Sequence, residues 1–175
     1  TGLNTNLAVR GYSYDIKKAK ELVEQFRIDS GIQNPTLSLA SDENYVDLCT
    51  YLQNTYNQIG ITINIEVMPS AALREAKSNG KLELFRASWI ADYPDAENYL
   101  LPYFSENFSP NGPNYTHFKS KRFDEGYKEI AATLDADRKN NLINSLDQQL
   151  VDTAPFILLY YDEVLRFTHT NVEGM

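Results

Sequence analysis

The sequence predicts an α/β fold with a mixed, mostly parallel sheet flanked by helices. Two observations predict it. Residues 15–90 alternate between helical and strand patterns, and the strand-like stretches are short and apolar. Three helix–strand pairs in succession favour right-handed crossovers between parallel strands. We therefore expect a single α/β domain over residues 1–175.

Apolar stripes between capping residues predict the first helices. Asp15 caps a helix that ends before Gly31, and Ser41 or Asp42 caps a second helix that ends at Gly60. A third, short helix begins at residues 69–70 and ends at 79–80. The stripes of the first two helices are Ile16, Ala19, Leu22, Val23 and Phe26, then Tyr45, Leu48, Cys49, Leu52, Tyr56 and Ile59.

Strands are expected at 36–40, 61–68 and 82–90 in this half of the chain. Strict alternation makes 61–68 the clearest of the three, with one apolar face. The lone Cys49 is interpreted as a small core residue, and a single cysteine does not identify the compartment.

The second half predicts more helix. Residues 95–104 look helical, and 105–119 contain enough Pro, Gly and Asn for a long, irregular loop. A helix from Ser120 places Phe123, Tyr127, Ile130, Ala131 and Leu134 on one face, and Asp135 caps the next helix. The apolar run 156–161 is typical of a strand buried on both faces, and 164–168 alternates like a final strand.

Composition excludes several classes of function. The net charge of −8 argues against binding to nucleic acid or to an anionic membrane surface. No apolar run approaches the ~20 residues of a membrane span, and residues 1–4 do not look like a signal peptide. Twelve tyrosines hint at a binding face, although ordinary packing explains most of them equally well.

Common catalytic motifs are missing from the sequence. There is neither a glycine-rich phosphate loop nor a G-x-S-x-G elbow, so we expect no cofactor. His117 and His169 lie far apart in the chain, so we expect no metal site. Four acids near one corner leave a carboxylate-dependent hydrolase open as an alternative; they are Glu83, Asp92, Asp95 and Glu97.

The most informative stretch runs from Ser88 to Asp95. An apolar run passes Trp89 and stops at Asp92 and Pro94, where a helical pattern follows. Corners of this kind are where α/β folds place binding sites. From the residues alone, Asp92 also fits a turn or cap acid and Trp89 a core aromatic residue.

Several motifs, in order, resemble one family. Trp89-Ile90-Ala91-Asp92-Tyr93-Pro94-Asp95 resembles the W-x-A-D-Y-x-D/E segment of the oligopeptide- and dipeptide-type extracytoplasmic solute-binding proteins of bacterial ABC importers. The stretch 11–22, the helix-to-strand turn at 52–61, the segment 114–124, the helix at 137–152 and the strand at 154–161 resemble further motifs of that family. Departures from its pattern are Ser88, Glu83 and Leu158, where members commonly have Gly, Asp and Pro.

The resemblance implies a fold and a cellular role. Members have two lobes around a cleft, and this chain is similar to the second lobe, a lobe of periplasmic-binding-protein type II. We therefore expect both termini near the cleft mouth, with the other lobe and any N-terminal lipid anchor outside this chain. The implied protein is a monomer in the periplasm or on the cell surface, with a small peptide as ligand and permease subunits as partners.

The resemblance also implies a peptide site. Asp92 is expected to bind the ligand's α-ammonium, and Trp89 to pack against its first residue. Main-chain groups of residues 86–90 are expected to pair with an extended peptide. Arg86 would reach the ligand's carboxylate or be a surface strand residue, and His117 would line the cleft or pack its loop. The expected ligand-binding residues are Arg86, Ser88, Trp89, Ile90, Asp92, Tyr93 and His117. A non-peptide solute, such as a metal chelate, haem or a sugar, remains an alternative within the family.

Overall fold

The computed structural model describes residues 9–161, 167–169 and 171–172. A three-stranded parallel sheet lies at the N-terminal side of the described chain, and two helices lie at its C-terminal side. The helices are α1 (Ile16–Ser30), α2 (Val46–Gln58), α3 (Ser70–Ser78), α4 (Lys121–Ala132) and α5 (Ala136–Thr153). The strands are β1 (Thr36–Ser41), β2 (Thr62–Val67) and β3 (Leu84–Phe85).

The sheet has the order β2-β1-β3, and both pairings are parallel. Leu39 of the central strand lies opposite Ile65 on one side and Leu84 on the other. The alternation of helices and strands over residues 15–85 and the parallel sheet are therefore confirmed. The strand order reverses between β1 and β3, so their carboxyl ends mark the switch point of this sheet.

Capping residues set the beginnings of α1, α4 and α5 as the sequence predicts. The cap predicted for α2 is wrong, because Asp42 caps the 3₁₀ turn Glu43–Tyr45 and α2 begins at Val46 without a side-chain cap. The carboxylate of Asp15 accepts a hydrogen bond from Lys18 N at 2.8 Å, and Gly31 ends α1 with φ 74°. Ser120 and Asp135 cap α4 and α5 in the same way. Each cap satisfies a main-chain N–H that has no partner within its helix, which fixes where the helix begins.

Two hydrophobic cores form within the described residues. One lies between the sheet and α2, around Leu39, Cys49 and Ile63. The other is built by α4, α5 and the segment before them. Its buried members are Leu100, Phe104, Phe123, Tyr127, Ile130, Ile143, Leu146 and Leu150. Cys49, 1% exposed, is a core residue as predicted.

The strand predicted at 82–90 is wrong beyond Phe85. The last bond to the neighbouring strand runs from Arg86 N to Ala40 O at 3.1 Å. β1 itself ends one residue later, so nothing remains for the chain to pair with. Residues 86–95 therefore leave the sheet without regular structure.

Other expectations fail because no described element covers the residues, or because a backbone N–H donor is missing. Residues 96–107 form three short 3₁₀ turns instead of one helix, since Pro102 lacks the N–H that a helix needs. Leu134 lies beyond the end of α4 and is fully exposed. In α1 only Val23 of the predicted stripe is buried; Leu22 and Phe26 are 58% and 46% exposed.

The predicted buried strand at 156–161 is also wrong. These residues are not in a strand, and Ile157 to Tyr161 are exposed because no described segment covers them. The strand predicted at 164–168 falls mainly outside the described residues. The expected proximity of the two termini falls outside them too.

Candidate functional site

The corner between the two cores carries most of the predicted site residues. After Arg86 the main chain runs free of the sheet. Within the described chain, residues 87–91 make no main-chain hydrogen bond to other backbone groups. Ser88 and Ile90 are exposed on this segment, Ile90 by 84%. Their free N–H and C=O groups are the kind of edge that an extended peptide pairs with.

The buried side-chain amide of Asn98 fixes two residues of this corner by hydrogen bonds. Asn98 is 0% exposed, and its Oδ1 accepts hydrogen bonds from Trp89 Nε1 at 3.0 Å and from Asp92 N at 3.2 Å. The same indole N–H also lies 3.0 Å from the main-chain oxygen of Asn98. Asn98 is not among the site residues predicted from the sequence. The available signal was an amide three residues after the capping acid Asp95, in the turn Ala96–Tyr99.

Asp92 combines a fixed backbone with a free side chain. Its N–H is held by Asn98, while its side chain is exposed. Its carboxylate makes no hydrogen bond or ion pair with the residues that the structure describes. A carboxylate held in this way can accept a charge-assisted hydrogen bond from an incoming cation.

The neighbouring acids of the corner are already engaged. Asp95 accepts from Glu97 N at 3.0 Å and from Lys139 Nζ of α5 at 2.5 Å. Glu97 accepts from the hydroxyls of Tyr93, at 2.5 Å, and of Tyr127 on α4. Burial favours the neutral form of Asp95, but its bonds to Lys139 and to the Glu97 amide outweigh that effect and lower its pKa. The hydrogen bond to Glu97 raises the pKa of Tyr93.

Arg86 lies at the carboxyl end of the sheet beside the corner. Its guanidinium carbon lies 3.5 Å from the centre of the Tyr45 ring, and its Nη1 lies 3.5 Å from the Ser88 hydroxyl. Stacking on an aromatic face orients a guanidinium and leaves its edge free for an anion.

His117 lies apart from this corner, in the loop 105–119. Its Nε2 lies 3.0 Å from the Ser109 hydroxyl, and its ring packs against Phe108. A Cβ added at Gly80 would lie 2.8 Å from the ring, so the imidazole rests on the turn after α3. No contact among the described residues brings His117 to the other predicted site residues.

Two open concave surfaces of the described chain are not lined by the expected ligand-binding residues. A groove of about 540 Å³ lies between α1 and the end of α2, and a cleft of about 300 Å³ lies at the sheet beside Lys81. Among the described residues, no group of three His, Cys, Asp or Glu is arranged to hold a metal ion. None of the described helices is both long enough and apolar enough to cross a bilayer.

Comparison with known proteins identifies the protein family to which the chain belongs. Residues 2–111 match the family described as "Bacterial extracellular solute-binding proteins, family 5 Middle". The chain belongs to this family of extracellular solute-binding proteins. Its α/β fold, with a small parallel sheet flanked by helices, matches the lobes of these proteins.

The chain is similar to individual dipeptide-binding and peptide-binding proteins over most of its length. The chain is 21% identical over 170 residues to the dipeptide-binding protein of Escherichia coli K12, covering 95% of this chain and 32% of that protein. It is 27% identical over 133 residues to the dipeptide-binding protein of Lactococcus lactis, covering 73% and 24%. A solved structure, the periplasmic binding protein DppA from Helicobacter pylori with the peptide STSA, superposes with a TM-score of 0.76 at 25% identity, covering 86% and 29%. The chain thus spans about a quarter to a third of the length of these relatives.

Proposed function

We propose that this chain is one lobe of a two-lobe, extracytoplasmic solute-binding protein that captures oligopeptides for a bacterial ABC importer. Family membership and the similarity to proteins named as dipeptide-binding support the proposal. The second lobe, the permease partners and a periplasmic or lipid-anchored location are parts of the same proposal.

One observation carries the peptide assignment. Asp92 is an acid at the corner whose carboxylate has no partner among the described residues, whereas Asp95 and Glu97 are both engaged. A peptide's α-ammonium supplies the missing positive charge. Because the backbone of Asp92 is already fixed by Asn98, binding does not have to order the acid first.

The segment 87–91 supplies the second half of the recognition. Its unpaired main-chain groups suit an extended peptide running beside the corner. Main-chain pairing reads no side chains, so it favours a broad range of peptide sequences. Arg86, oriented by Tyr45, is placed to meet a negatively charged group of the ligand.

The proposal is tested in the full-length protein with matched peptides, trialanine and N-acetyl-trialanine. We expect Asp92→Ala to weaken trialanine binding by roughly 2–5 kcal/mol and to leave the acetylated peptide nearly unchanged. Glu75→Ala, at an exposed acid in the middle of α3, is the control and should change neither affinity. Equal losses for both peptides would make Asp92 a structural residue instead.

The isolated chain provides a further check. Closure around a ligand needs both lobes, so calorimetry of the 175-residue chain with tri- and tetrapeptides should detect little or no binding. A micromolar or tighter signal would contradict the two-lobe proposal.

Mass spectrometry of small molecules that co-purify with the full-length protein distinguishes peptides from a non-peptide solute.

A further inference from the structure

We infer that Asn98 is a positioning residue, which sets the preference for a free amino terminus by holding Asp92 and Trp89 in one fixed arrangement. This inference rests on the proposed peptide function. Asn98 itself is fully buried, so it acts on the ligand only through Asp92 and Trp89. Its role follows from the donors that meet at its side-chain oxygen.

The convergence at Oδ1 links two groups of different kinds. The indole N–H of Trp89 and the main-chain N–H of Asp92 both donate to it, at 3.0 and 3.2 Å. One acceptor therefore fixes the side chain that packs on the ligand and the backbone that carries the acid. Because the Asp92 carboxylate has no partner among the described residues, its position is determined through its backbone.

Asn98 can fix the positions of both groups because its own turn is bound to α4 and to α5. The turn Ala96–Tyr99 begins at Asp95, which is bound to Lys139 of α5. Glu97, the residue before Asn98, is bound by the hydroxyl of Tyr127 on α4. These bonds connect the corner to the core between α4 and α5, whose residues are closely packed.

The alternative is that Asn98 only satisfies buried donors and stabilises the fold. A structural role would lower stability and weaken all ligands to a similar degree. A positioning role changes the ratio of affinities for amino-terminal and acetylated peptides, since only the former depends on where the acid lies. The affinity ratio therefore separates the two roles.

The test compares variants in the full-length protein. Asn98→Leu replaces the amide with an apolar side chain, and Asn98→Ser shortens it so that the acceptor no longer reaches both donors. We expect each to reduce the preference for trialanine over N-acetyl-trialanine by roughly tenfold, about 1.4 kcal/mol. In an Asp92→Ala background, Asn98→Ser should reduce that preference no further, because the group that it positions has gone.

A second readout needs no ligand. In the 175-residue chain Trp89 is the one tryptophan, so fluorescence measured on this chain reports on this corner alone. Quenching by acrylamide should increase by twofold or more in Asn98→Ser, because the indole loses its side-chain acceptor. The control is Tyr103→Phe, which removes a hydroxyl from a residue packed against the core of α4 and α5. This variant should leave the quenching of Trp89 unchanged.

The outcomes separate the two proposals. If the wild-type protein binds neither peptide, or Asp92→Ala keeps the preference, the proposed function fails. If Asp92→Ala abolishes the preference while Asn98→Ser and Asn98→Leu retain it, the function stands and the positioning role is wrong. Unchanged Trp89 quenching in Asn98→Ser would also overturn the positioning role.

Discussion

The indole N–H of Trp89 lies 3.0 Å from each of the two oxygens of Asn98, one on the side chain and one on the main chain. The ring is thus held at its polar edge and is only partly buried. An aromatic residue anchored in this way offers a fixed apolar surface to a ligand with little loss of side-chain entropy on binding.

Asp92 and Asp95 should differ in their contribution to stability. We expect Asp92→Ala to change the free energy of unfolding by less than about 0.5 kcal/mol, as for an exposed side chain without partners. Asp95→Ala should cost about 1 kcal/mol because it removes an N-cap and the pair with Lys139. Urea denaturation of both variants measures the difference. A loss above 1 kcal/mol for Asp92→Ala would contradict a free carboxylate.

The cost of Asp95→Ala should depend on pH. The pKa of Asp95 is lowered in the fold, so its contribution is complete above the usual carboxyl range. It is lost as the pH falls through the lowered, folded pKa. Denaturation at several pH values should therefore show the cost of the variant shrinking towards acid. A constant cost between pH 2 and 7 would mean that the uncharged cap alone accounts for it.

Asp147 on α5 should show the opposite behaviour. Burial raises its pKa, so the folded state retains its proton to higher pH than the unfolded state does. Stability therefore falls as the pH rises through this interval, and at neutral pH the buried charge is a net cost. We expect Asp147→Asn to raise the urea midpoint at pH 7 and to have little effect near pH 3. Glu75→Gln, at an exposed acid, is the control and should leave the midpoint unchanged at both pH values.

Asn114 stabilises the loop 105–119 by hydrogen bonds to main-chain carbonyls at both of its ends. Its buried side-chain NH₂ donates to Phe104 O at 3.1 Å and to Phe118 O at 3.0 Å. Asn114→Ala leaves both carbonyls without this donor and should cost roughly 2–6 kcal/mol, at about 1–3 kcal/mol for each buried group left unsatisfied. Asn111→Ala, an exposed asparagine of the same loop, should stay within about 0.5 kcal/mol. Similar unfolding energies for the two variants would contradict the bracing role.

Gly80 and Gly31 allow the contact of His117 to be isolated. Both have positive φ, 63° and 74°, so alanine at either position should cost roughly 1–2 kcal/mol. Only at Gly80 does a Cβ meet the imidazole, whereas at Gly31 it meets open space. We therefore expect Gly80→Ala, but not Gly31→Ala, to shift the His117 ring resonances in NMR spectra. Unshifted resonances in Gly80→Ala would place His117 away from this turn.

The helices and the parallel pairing were predictable because their signals are local. Caps such as Asp15 and Ser120, and apolar residues at helical spacing, determine boundaries through neighbours in sequence. The strand errors have a different origin. An apolar run such as 156–161 predicts burial, but whether a partner strand exists is not encoded in that run. β3 is short for the same reason, since its partner ends at Ser41.

The site was only partly predictable. Trp89 and Asp92 are conspicuous in the sequence, and the structure brings them together with Arg86 and Ser88 on one segment. Asn98 is not conspicuous, because an asparagine after a capping acid also fits an ordinary turn. Its importance comes from two donors that reach it from six and nine residues away, which only the folded chain reveals.

The separate packing of the two cores has a consequence for dynamics. Each core can open and close as its own cooperative unit, so amide hydrogen exchange should divide the chain into two groups of protection factors. The Trp89–Asn98 corner lies on the border between these groups. A ligand bound at this corner would contact residues next to both cores. It should therefore slow amide hydrogen exchange in both groups at the same time.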